Sequence, residues 1–470
     1  MVKVDNLKPS PLTWMIFGSA VILFACSSLR HALFQSGVFE LGFYDQLVYL
    51  ISQGQPPVSS FLGIHVLGDH AAWAIYPLAL LYKIYPSVYW LLAVQAIALS
   101  LGALPVFYLA RQAELKEPLA LAVAATYLFY PAVFNINLFD FHAEVMALPV
   151  FFGAILAAQL GYVIWFGLAI IFILGCKAVL SFTVIGMGFW LLLEQNKRLG
   201  STPRQQKVMA FFALFVGIAW FLIATQAIIP NFAGHEPIAV SRYSYLGDSV
   251  LEIGKNLFLK PVLVLGKIFS FSSLEYLILL ALPVIWGLSF PGLTPLIAAL
   301  PALALNIISE SANQRNLVLH YSLPILPFLF LAVIYSLASR SKNLPQAKWL
   351  VVWSLIAFLA LAKYGYFGSI YLDSLPTLSA MREAVAQVPR QGRVLTTHEI
   401  APHLSHRPLI EFTNLEQPPE LGEFDYVLLN LPYPGWRSTP EFATSLVMQL
   451  QKMPEFELTY QQDGVYLFVK

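Results

Sequence analysis

Acidic residues and histidines are concentrated in one polar segment, FELGFYDQLVYLISQGQPPVSSFLGIHVLGDH. The side chains in it that could take part in chemistry are Glu40, Asp45, His65, Asp69 and His70. Carboxylates beside aromatic residues at a membrane surface are partly desolvated, which raises their pKa and suits them to general-base catalysis or to binding a divalent ion. The alternative is a solvated loop that covers the ends of helices, and the spacing alone leaves both interpretations open.

A second group occurs in the sequence DFHAE. Asp140 is placed to cap the helix that follows, and that structural role alone would explain it. His142 and Glu144 need another explanation, and together with Asp69 and His70 they offer nitrogen and oxygen ligands. The pattern therefore favours either a divalent metal site, with Asp69, His70, His142 and Glu144 as candidate ligands, or a hydrogen-bonded acid–base cluster.

Cationic residues form a third group. Lys177 stands in apolar sequence at a predicted helix end, where an ionisable residue commonly contacts an anion such as phosphate. The alternative is a side chain that extends to the membrane interface. Arg242 and His320 each precede a tyrosine, a combination that suits a phosphate or a sugar ring and also suits the aromatic belt of a membrane protein.

The composition of the chain is that of a membrane protein. Of the 470 residues, 58% are hydrophobic and 11% are charged, which is far from the balance of soluble globular proteins. The 27 Lys and Arg nearly cancel the 26 Asp and Glu, so the chain has no basic field for nucleic acid. Membrane lipids are therefore expected partners, and nucleic acid is not.

Eleven apolar stretches are read as helices that cross a hydrocarbon core of about 30 Å. They are residues 12–29, 90–110, 119–135, 143–160, 161–175, 178–193, 208–229, 274–288, 293–308, 321–338 and 349–367. Residues 73–85 are too few to cross, and we expect them to lie at the interface or to re-enter. The sequence thus predicts a mainly α-helical transmembrane bundle over residues 1–368.

Lysines and arginines in short loops predict the orientation, because basic loops are retained in the cytoplasm. Four basic groups fall on one side: Lys3 with Lys8, Arg111 with Lys116, Lys197 with Arg198, Arg204 and Lys207, and Arg340 with Lys342 and Lys348. The N-terminus is therefore predicted to be cytoplasmic in the plasma membrane. The first large loop, residues 30–72, and the connections 139–142, 231–273 and 309–320 are predicted to be extracytoplasmic.

After residue 368 the composition becomes that of a soluble protein. Short buried strands are predicted at residues 393–397, 425–430 and 464–469, with an amphipathic helix at 442–453. These elements indicate a small α/β domain over residues 369–470. The parity of the spans places it on the extracytoplasmic side.

Motifs of several common enzyme classes are missing from the sequence. It has no P-loop, no dinucleotide-binding glycine fingerprint, no GxSxG elbow and no HExxH helix. ATP-driven transport, nicotinamide chemistry and the common hydrolases therefore lack motif support. A secondary carrier is still possible, and it would be expected to place polar groups near mid-membrane in two similar halves.

The segments FELGFYDQ, GIHVLGDH, NLFDFHAE, RYSYLG, LHYSLPILPF, GRVLTTHEIAPHLSHRP and FDYVLLN occur in this order along nearly the whole chain. In these motifs the chain resembles a family of bacterial and archaeal predicted membrane proteins of unknown function, which is similar to the GT-C glycosyltransferases. The resemblance implies transfer of a sugar from a polyprenyl-phosphate donor to an acceptor hydroxyl at the external face. It also implies that an acidic residue near the first helix deprotonates that hydroxyl.

The resemblance also implies roles for individual residues. The FDLGxFDQ-like loop of the family falls on residues 39–46, so Asp45 becomes the candidate base and Glu40 a second catalytic candidate. The GDH and DFH motifs fall on residues 68–70 and 140–142, so Asp69, His70, Asp140 and His142 would shape the acceptor site or hold a metal. Lys177, Arg242 and His320 would neutralise the carrier phosphate.

The chain departs from the family pattern at two places. Glu40 stands where the family usually has Asp, and Lys177-Ala178-Val179 stands where it often has Lys-Glu-Asp. If the two missing acids hold a metal or the acceptor, this chain is altered in specificity or is inactive. The alternatives to an enzyme are a non-enzymatic transporter of lipid-linked sugars, an assembly partner or an inactive relative.

Overall fold

The structure, a computed structural model, describes residues 10–194, 200–235, 237–340 and 344–470. Most of the chain up to residue 361 is helical, and a short two-stranded ribbon lies in the first loop. The elements are α1 (Pro11–Ala32), α2 (Phe43–Ser52), β1 (Val58–Ser59), β2 (Ile64–His65), α3 (Val66–His70), α4 (Ala79–Ile84), α5 (Tyr89–Leu101), α6 (Ala103–Gln112), α7 (Glu117–Leu128), α8 (Pro131–Leu138), α9 (Ala147–Leu160), α10 (Val163–Cys176), α11 (Leu180–Leu193), α12 (Pro203–Ile223), α13 (Ile229–Ala233), α14 (Val250–Leu259), α15 (Pro261–Ile268), α16 (Phe271–Ala281), α17 (Leu296–Ile308), α18 (Leu326–Ser339) and α19 (Ala347–Leu361).

Six helical segments of the described chain are long and apolar enough to cross a membrane. They are Pro11–Ala32, Tyr89–Gln112, Glu117–Leu138, Ala143–Leu160, Pro203–Ala233 and His320–Ser339. Two bent pairs, Pro261–Ile268 with Phe271–Gly287 and Ala347–Leu361 with Lys363–Leu372, raise the number to eight. The structure thus confirms a polytopic helical bundle.

The predicted number of about eleven spans is larger than the number that passes this length test. The three remaining predicted spans coincide with α10, α11 and α17, which have 14, 14 and 13 residues. At 1.5 Å per residue they reach only about 20 Å. The segment predicted to be interfacial or re-entrant is likewise a short apolar helix, Trp73–Ile84.

Glycine allows two of the short helices to pack closely. A Cβ added at Gly186 of α11 would lie 2.5 Å from the backbone oxygen of Ala298 in α17. Small residues at such contacts let helix backbones approach each other, and close packing is a main source of stability between helices in a bilayer. Replacing Gly186 with any larger residue would therefore separate α11 from α17.

The C-terminal region contains a five-stranded mixed sheet flanked by helices. Its elements are α20 (Leu378–Gln387), β3 (Val394–Thr396), β4 (Ile410–Phe412), β5 (Tyr426–Asn430), α21 (Pro440–Leu450), β6 (Glu457–Gln462) and β7 (Val465–Val469). The strand order is β4-β3-β5-β7-β6, with β3 parallel to β4 and β5, and β7 antiparallel to β5 and β6. The predicted strands and helix correspond to β3, β5, β7 and α21.

The first loop is part of the hydrophobic core of the C-terminal domain. Phe34, Val38 and Phe61 are buried in one cluster with residues of α20 and of strands β3, β4, β5 and β7. Ser60 donates a 2.6 Å hydrogen bond to the backbone oxygen of Ile410 and accepts one of 3.0 Å from its N–H. Much of the loop is therefore buried against the domain, in contrast to the alternative of a solvated loop.

The first loop, the turn at residues 139–142 and the C-terminal domain lie at the same end of the bundle. The backbone N–H of Gly37 donates a 2.8 Å hydrogen bond to Asp140, and residues 405–406 contact Asp45. The basic residues Lys3, Lys8, Lys197, Arg198 and Lys342 lie outside the described residues. The cytoplasmic or extracytoplasmic position of each end stays a prediction.

Candidate active site

Asp45, the predicted base, is fully engaged in hydrogen bonds. It lies in the first turn of α2, where it is 1% exposed. Tyr82 and Ser405 donate hydrogen bonds to its carboxylate, and Nε2 of His406 lies 3.1 Å from both oxygens. Burial raises the pKa of Asp45, but His406 and the two hydroxyl donors outweigh this effect and lower it overall. Such a carboxylate is a poor proton acceptor and a strong structural contact.

Glu40, the second catalytic candidate, has a different environment. It is partly exposed in the helical turn Val38–Gly42, and it forms no ion pair with another side chain in the described part of the chain. Burial and the charge of Asp140 raise its pKa to about 7, against smaller opposing effects of His398 and Arg30. A carboxylate with a pKa near 7 is suited to take a proton at neutral pH.

Asp140 is held by the end of the first helix and does not cap the helix after it. Its carboxylate pairs with Arg30 and accepts a hydrogen bond from the N–H of Gly37. The backbone of Asp140 is in the left-handed region, with φ of 67°. A Cβ added at Gly37 would lie 3.0 Å from a Glu40 carboxylate oxygen and 3.8 Å from an Asp140 oxygen, so the two acids are neighbours.

Lys177 and Glu144 form the centre of a second polar group. Nζ of Lys177 lies 2.7 Å from a carboxylate oxygen of Glu144 and 3.4 Å from Nε2 of His320. His320 Nε2 is also 3.3 Å from the same Glu144 oxygen, and the His142 ring is 4.2 Å from the His320 ring between centroids. The structure therefore brings together residues that are far apart in the sequence.

Asp69, His70 and Arg242 border this group. The backbone oxygen of His70 accepts a 2.9 Å hydrogen bond from the N–H of Ala178. Burial raises the pKa of Asp69 to about 6, with Lys177 opposing the shift. Burial, followed by the charges of Lys177 and Arg242, lowers the pKa of His70 far below its usual range, so His70 is neutral. Arg242 lies over the ring of Tyr321 at 5.0 Å.

The metal prediction has no support in this geometry. No group of three or more His, Cys, Asp or Glu side chains in the described ranges is placed to hold a metal ion. The candidate ligands were Asp69, His70, His142 and Glu144. Glu144 is paired with Lys177, whose positive charge disfavours a metal ion beside it. Dependence on a divalent metal stays a prediction.

Tyr44 connects the two polar groups. It is buried in α2, and burial followed by the charges of Asp69, Glu144 and Glu40 raises the pKa of its phenol well above the usual value. The Tyr44 ring meets the Phe141 ring edge-on at 5.4 Å between centroids, and Phe141 stands in the chain between Asp140 of the Glu40 group and His142 of the Lys177 group. The two groups are therefore neighbours in the structure.

Further residues of the site, to which the sequence pattern assigns no role, lie at the end of the first helix and in the C-terminal domain. They are Arg30, His398, Ser405 and His406. The N–H of Val38 donates a 3.4 Å hydrogen bond to Nε2 of His398. The motif TTHEIAPHLSH contains His398, Ser405 and His406 and belongs to the family pattern, so it could have pointed to these three residues.

Comparison with known proteins establishes the family. A family model described as "Predicted membrane protein (DUF2079)" matches residues 30–467. The chain belongs to this family. The resemblance drawn from the sequence motifs is thereby confirmed. No curated protein matches this DUF2079 chain.

Two solved structures of ArnT from Cupriavidus metallidurans are similar to the chain. The structure of ArnT bound to undecaprenyl phosphate has a TM-score of 0.55 and 11% sequence identity, and the match covers 98% of each chain. The apo structure has a TM-score of 0.56 and 11% identity, over 96% of this chain and 98% of ArnT. At this identity the likeness shows the fold alone, which is of the GT-C type.

Proposed function

We propose that the chain is a membrane glycosyltransferase that moves a sugar from a polyprenyl-phosphate carrier to an acceptor hydroxyl, with Glu40 as the general base. The observation that carries the proposal is the contrast between the two acids of the first loop. Asp45 is buried and has three hydrogen-bonding partners, whereas Glu40 is partly exposed and has a pKa of about 7. The base is therefore assigned to Glu40 and not to Asp45.

The proposed reaction uses one base, Glu40, and one cationic group, the Lys177 group. The acceptor oxygen attacks the anomeric carbon of the donor while the bond from that carbon to the phosphate oxygen breaks. Glu40 takes the proton of the attacking hydroxyl, and the products are the glycosylated acceptor and the polyprenyl phosphate. Attack opposite to the leaving phosphate inverts the configuration of the anomeric carbon.

The Lys177 group is the proposed site for the phosphate of the carrier. Lys177 and Arg242 supply positive charge, neutral His70 supplies a ring N–H donor, and the His320 ring lies 3.4 Å from Nζ of Lys177. Charge develops on the phosphate as it leaves, and fixed cations nearby stabilise that charge. Because Glu144 contacts Lys177 at 2.7 Å in the structure, an arriving phosphate has to share this cation with Glu144.

Two further observations support an enzyme that uses a lipid carrier. ArnT, whose fold the chain shares, has been solved with undecaprenyl phosphate. The acids and histidines of the candidate site lie at one end of the bundle, next to the C-terminal domain, which is the arrangement expected of an enzyme working at a membrane face. We assign this face to the extracytoplasmic side of the plasma membrane. The alternative of an inactive relative is favoured by Ala178 and Val179, which stand where the family often has Glu and Asp.

The test is transfer by the purified protein in liposomes, with a panel of radiolabelled polyprenyl-phosphate sugars and an extract of cell-envelope acceptors. The wild type is expected to transfer label from one donor, and Glu40→Gln is expected to bind that donor without transferring it. Passage of labelled carrier between leaflets without covalent transfer would instead establish the transporter. Absence of both activities in a protein that binds the lipid carrier tightly would favour the inactive relative.

A further inference from the structure

The parallel strands β3 and β4 end at one edge of the C-terminal sheet. In α/β structures, ligands bind outside the carboxyl ends of parallel strands, because the loops that follow the strands converge there. Residues 397–399 follow β3, residues 413–416 follow β4, and the loop at residues 435–438 packs against both. We call this surface the carboxyl-edge site.

Five polar side-chain atoms at the carboxyl-edge site are buried without a hydrogen-bond partner in the described chain. They are the hydroxyl oxygens of Thr397, Thr413 and Ser438, Nδ1 of His398 and Oε2 of Glu399. Thr397 and Thr413 are both 0% exposed. Buried polar atoms without partners are rare and costly, so a cluster of them indicates a ligand that completes the hydrogen bonds.

An aromatic surface adjoins these polar atoms. Trp436 is 51% exposed, and its ring meets the ring of Phe39 edge-on at 5.1 Å between centroids. His398 is 6.1 Å from Trp436 and 5.9 Å from Phe412. Arg437 lies 4.3 Å above the Trp436 ring. A large, half-exposed aromatic ring beside unpaired polar groups is typical of a binding site.

The loop that carries Trp436 is fixed in an unusual conformation. Gly435 and Arg437 have φ of 78° and 61°, and for arginine this region is unfavourable. The N–H of Leu415 donates a 2.8 Å hydrogen bond to the backbone oxygen of Arg437, which ties the loop to the segment after β4. A Cβ added at Gly435 would clash with Oε2 of Glu399, so the loop rests directly on this carboxylate. Such conformations persist where they position a functional side chain.

We propose that the carboxyl-edge site binds the acceptor, and that the acceptor is a carbohydrate. The hydroxyls of a sugar both donate and accept hydrogen bonds, so they suit the unpartnered atoms of Thr397, Thr413, Ser438 and Glu399. Because these atoms have almost no exposed surface, the sugar reaches them only when the strained loop at residues 435–438 moves outward. The apolar face of the sugar ring packs on Trp436. A lipid tail or an apolar peptide would leave the polar atoms unpaired.

The carboxyl-edge site is next to the proposed base. Phe39, which contacts Trp436, precedes Glu40 in the chain. A Cβ added at Gly37 would lie 3.3 Å from the His398 ring and 3.0 Å from the Glu40 carboxylate. A sugar bound on Trp436 is therefore placed beside the segment that carries Glu40. The assignment of this sugar as the acceptor rests on the proposed function, whereas its binding does not.

The test is binding of fluorescently labelled full-length protein, in detergent, to an array of neutral oligosaccharides. The variants are Trp436→Ala and Thr413→Val, with Met448→Ala as the control because Met448 is exposed on α21 of the same domain. Wild type and Met448→Ala are expected to bind the same glycans. Trp436→Ala and Thr413→Val are expected to bind them at least tenfold more weakly.

Thermal unfolding of Thr413→Val without glycan supplies a second readout. If the hydroxyl is unpaired in the free protein, its removal leaves Tm unchanged or raises it. A lower Tm would mean that a structural partner already satisfies Thr413, and that outcome overturns the proposal. Equal glycan binding by all variants, or no glycan binding by the wild type, overturns it as well. If the protein binds glycans but transfers no sugar, the binding site is supported and only the proposed glycosyltransferase activity is contradicted.

Discussion

His406 of the C-terminal domain places Nε2 3.1 Å from both carboxylate oxygens of Asp45, across 361 positions of the sequence. The His406 ring also stacks on Tyr49 at 4.7 Å between centroids. Ser405 donates to the same carboxylate. Asp45 is thus one of the points where the first loop is joined to the domain, and its chemistry is that of a structural ion pair.

Asp45→Asn is expected to destabilise the protein and to leave the rate of sugar transfer near that of the wild type. The substitution removes a charged hydrogen bond to the partly buried His406, which can then lose its proton, and we expect a loss of about 2 kcal/mol. Thermal unfolding in detergent measures the first effect, and transfer at saturating donor measures the second. Asp248→Asn, at an exposed position, is the control. A large loss of transfer with unchanged Tm would return the catalytic role to Asp45.

The ion pair between Asp45 and His406 is expected to stabilise the protein less at both low and high pH than at intermediate pH. The pKa of Asp45 is lowered from its ordinary 3.8, so its contribution is present above pH 3.8 and is lost as the pH falls below that value. The pKa of His406 is raised from 6.5, because Asp45 outweighs the opposing effect of burial. Its contribution is present below pH 6.5 and is lost as the pH rises past the raised value. The difference in Tm between wild type and His406→Gln should be largest between these limits, and a constant difference from about pH 4 to 9 would contradict the ion pair.

Sugar transfer is expected to rise with pH through a midpoint near 7. Glu40 accepts a proton only when it is ionised, and its pKa is about 7. The negative charge of Asp140 raises the pKa of Glu40, and Asp140→Asn removes that charge. The substitution also leaves Arg30 without its partner, and Arg30 lowers the same pKa, so the midpoint should fall. Initial rates from about pH 5 to 9 at saturating substrates measure both profiles. An unchanged midpoint in Asp140→Asn would show that another group limits the rate.

Lys177→Met is expected to weaken binding of polyprenyl phosphate and also to destabilise the bundle, since Glu144 is left buried without its cation. The double variant Lys177→Met with Glu144→Gln separates the two effects. It should recover most of the wild-type Tm, yet its Kd for the carrier should remain about tenfold or more above wild type, in line with the loss of a charged hydrogen bond. Wild-type affinity in the double variant would place the phosphate elsewhere.

Hydrophobicity predicted the bundle well, because a helix that spans lipid has to be apolar over most of its length. All eleven predicted stretches are helical, although three of them are short. In the C-terminal domain the prediction missed β4, which has three residues, and β6, whose sequence ELTYQQ is largely exposed. Such strands have little or no apolar pattern of their own and form because β3 and β7 offer free edges.

Part of the membership of the candidate site was predicted, and its arrangement was not. Residue type and motif selected Glu144, Lys177 and His320, which contact one another in the structure. The pairing of Arg30 with Asp140 bridges 110 positions, and no local spacing predicts it. The choice between Glu40 and Asp45 as the base depends on the fold in the same way. The family motif favoured Asp45, and only the folded chain shows which of the two carboxylates has partners.

The most direct test of catalysis by Glu40 compares single-turnover transfer by Glu40→Gln, Glu40→Asp and Asp45→Asn at saturating donor. Removal of a general base typically costs a factor of about 10² to 10⁴ in rate. We expect this loss in Glu40→Gln, partial activity in Glu40→Asp, and a rate near wild type in Asp45→Asn. Full activity in Glu40→Gln, with transfer abolished in a folded Asp45→Asn, would contradict the assignment of Glu40 as the base.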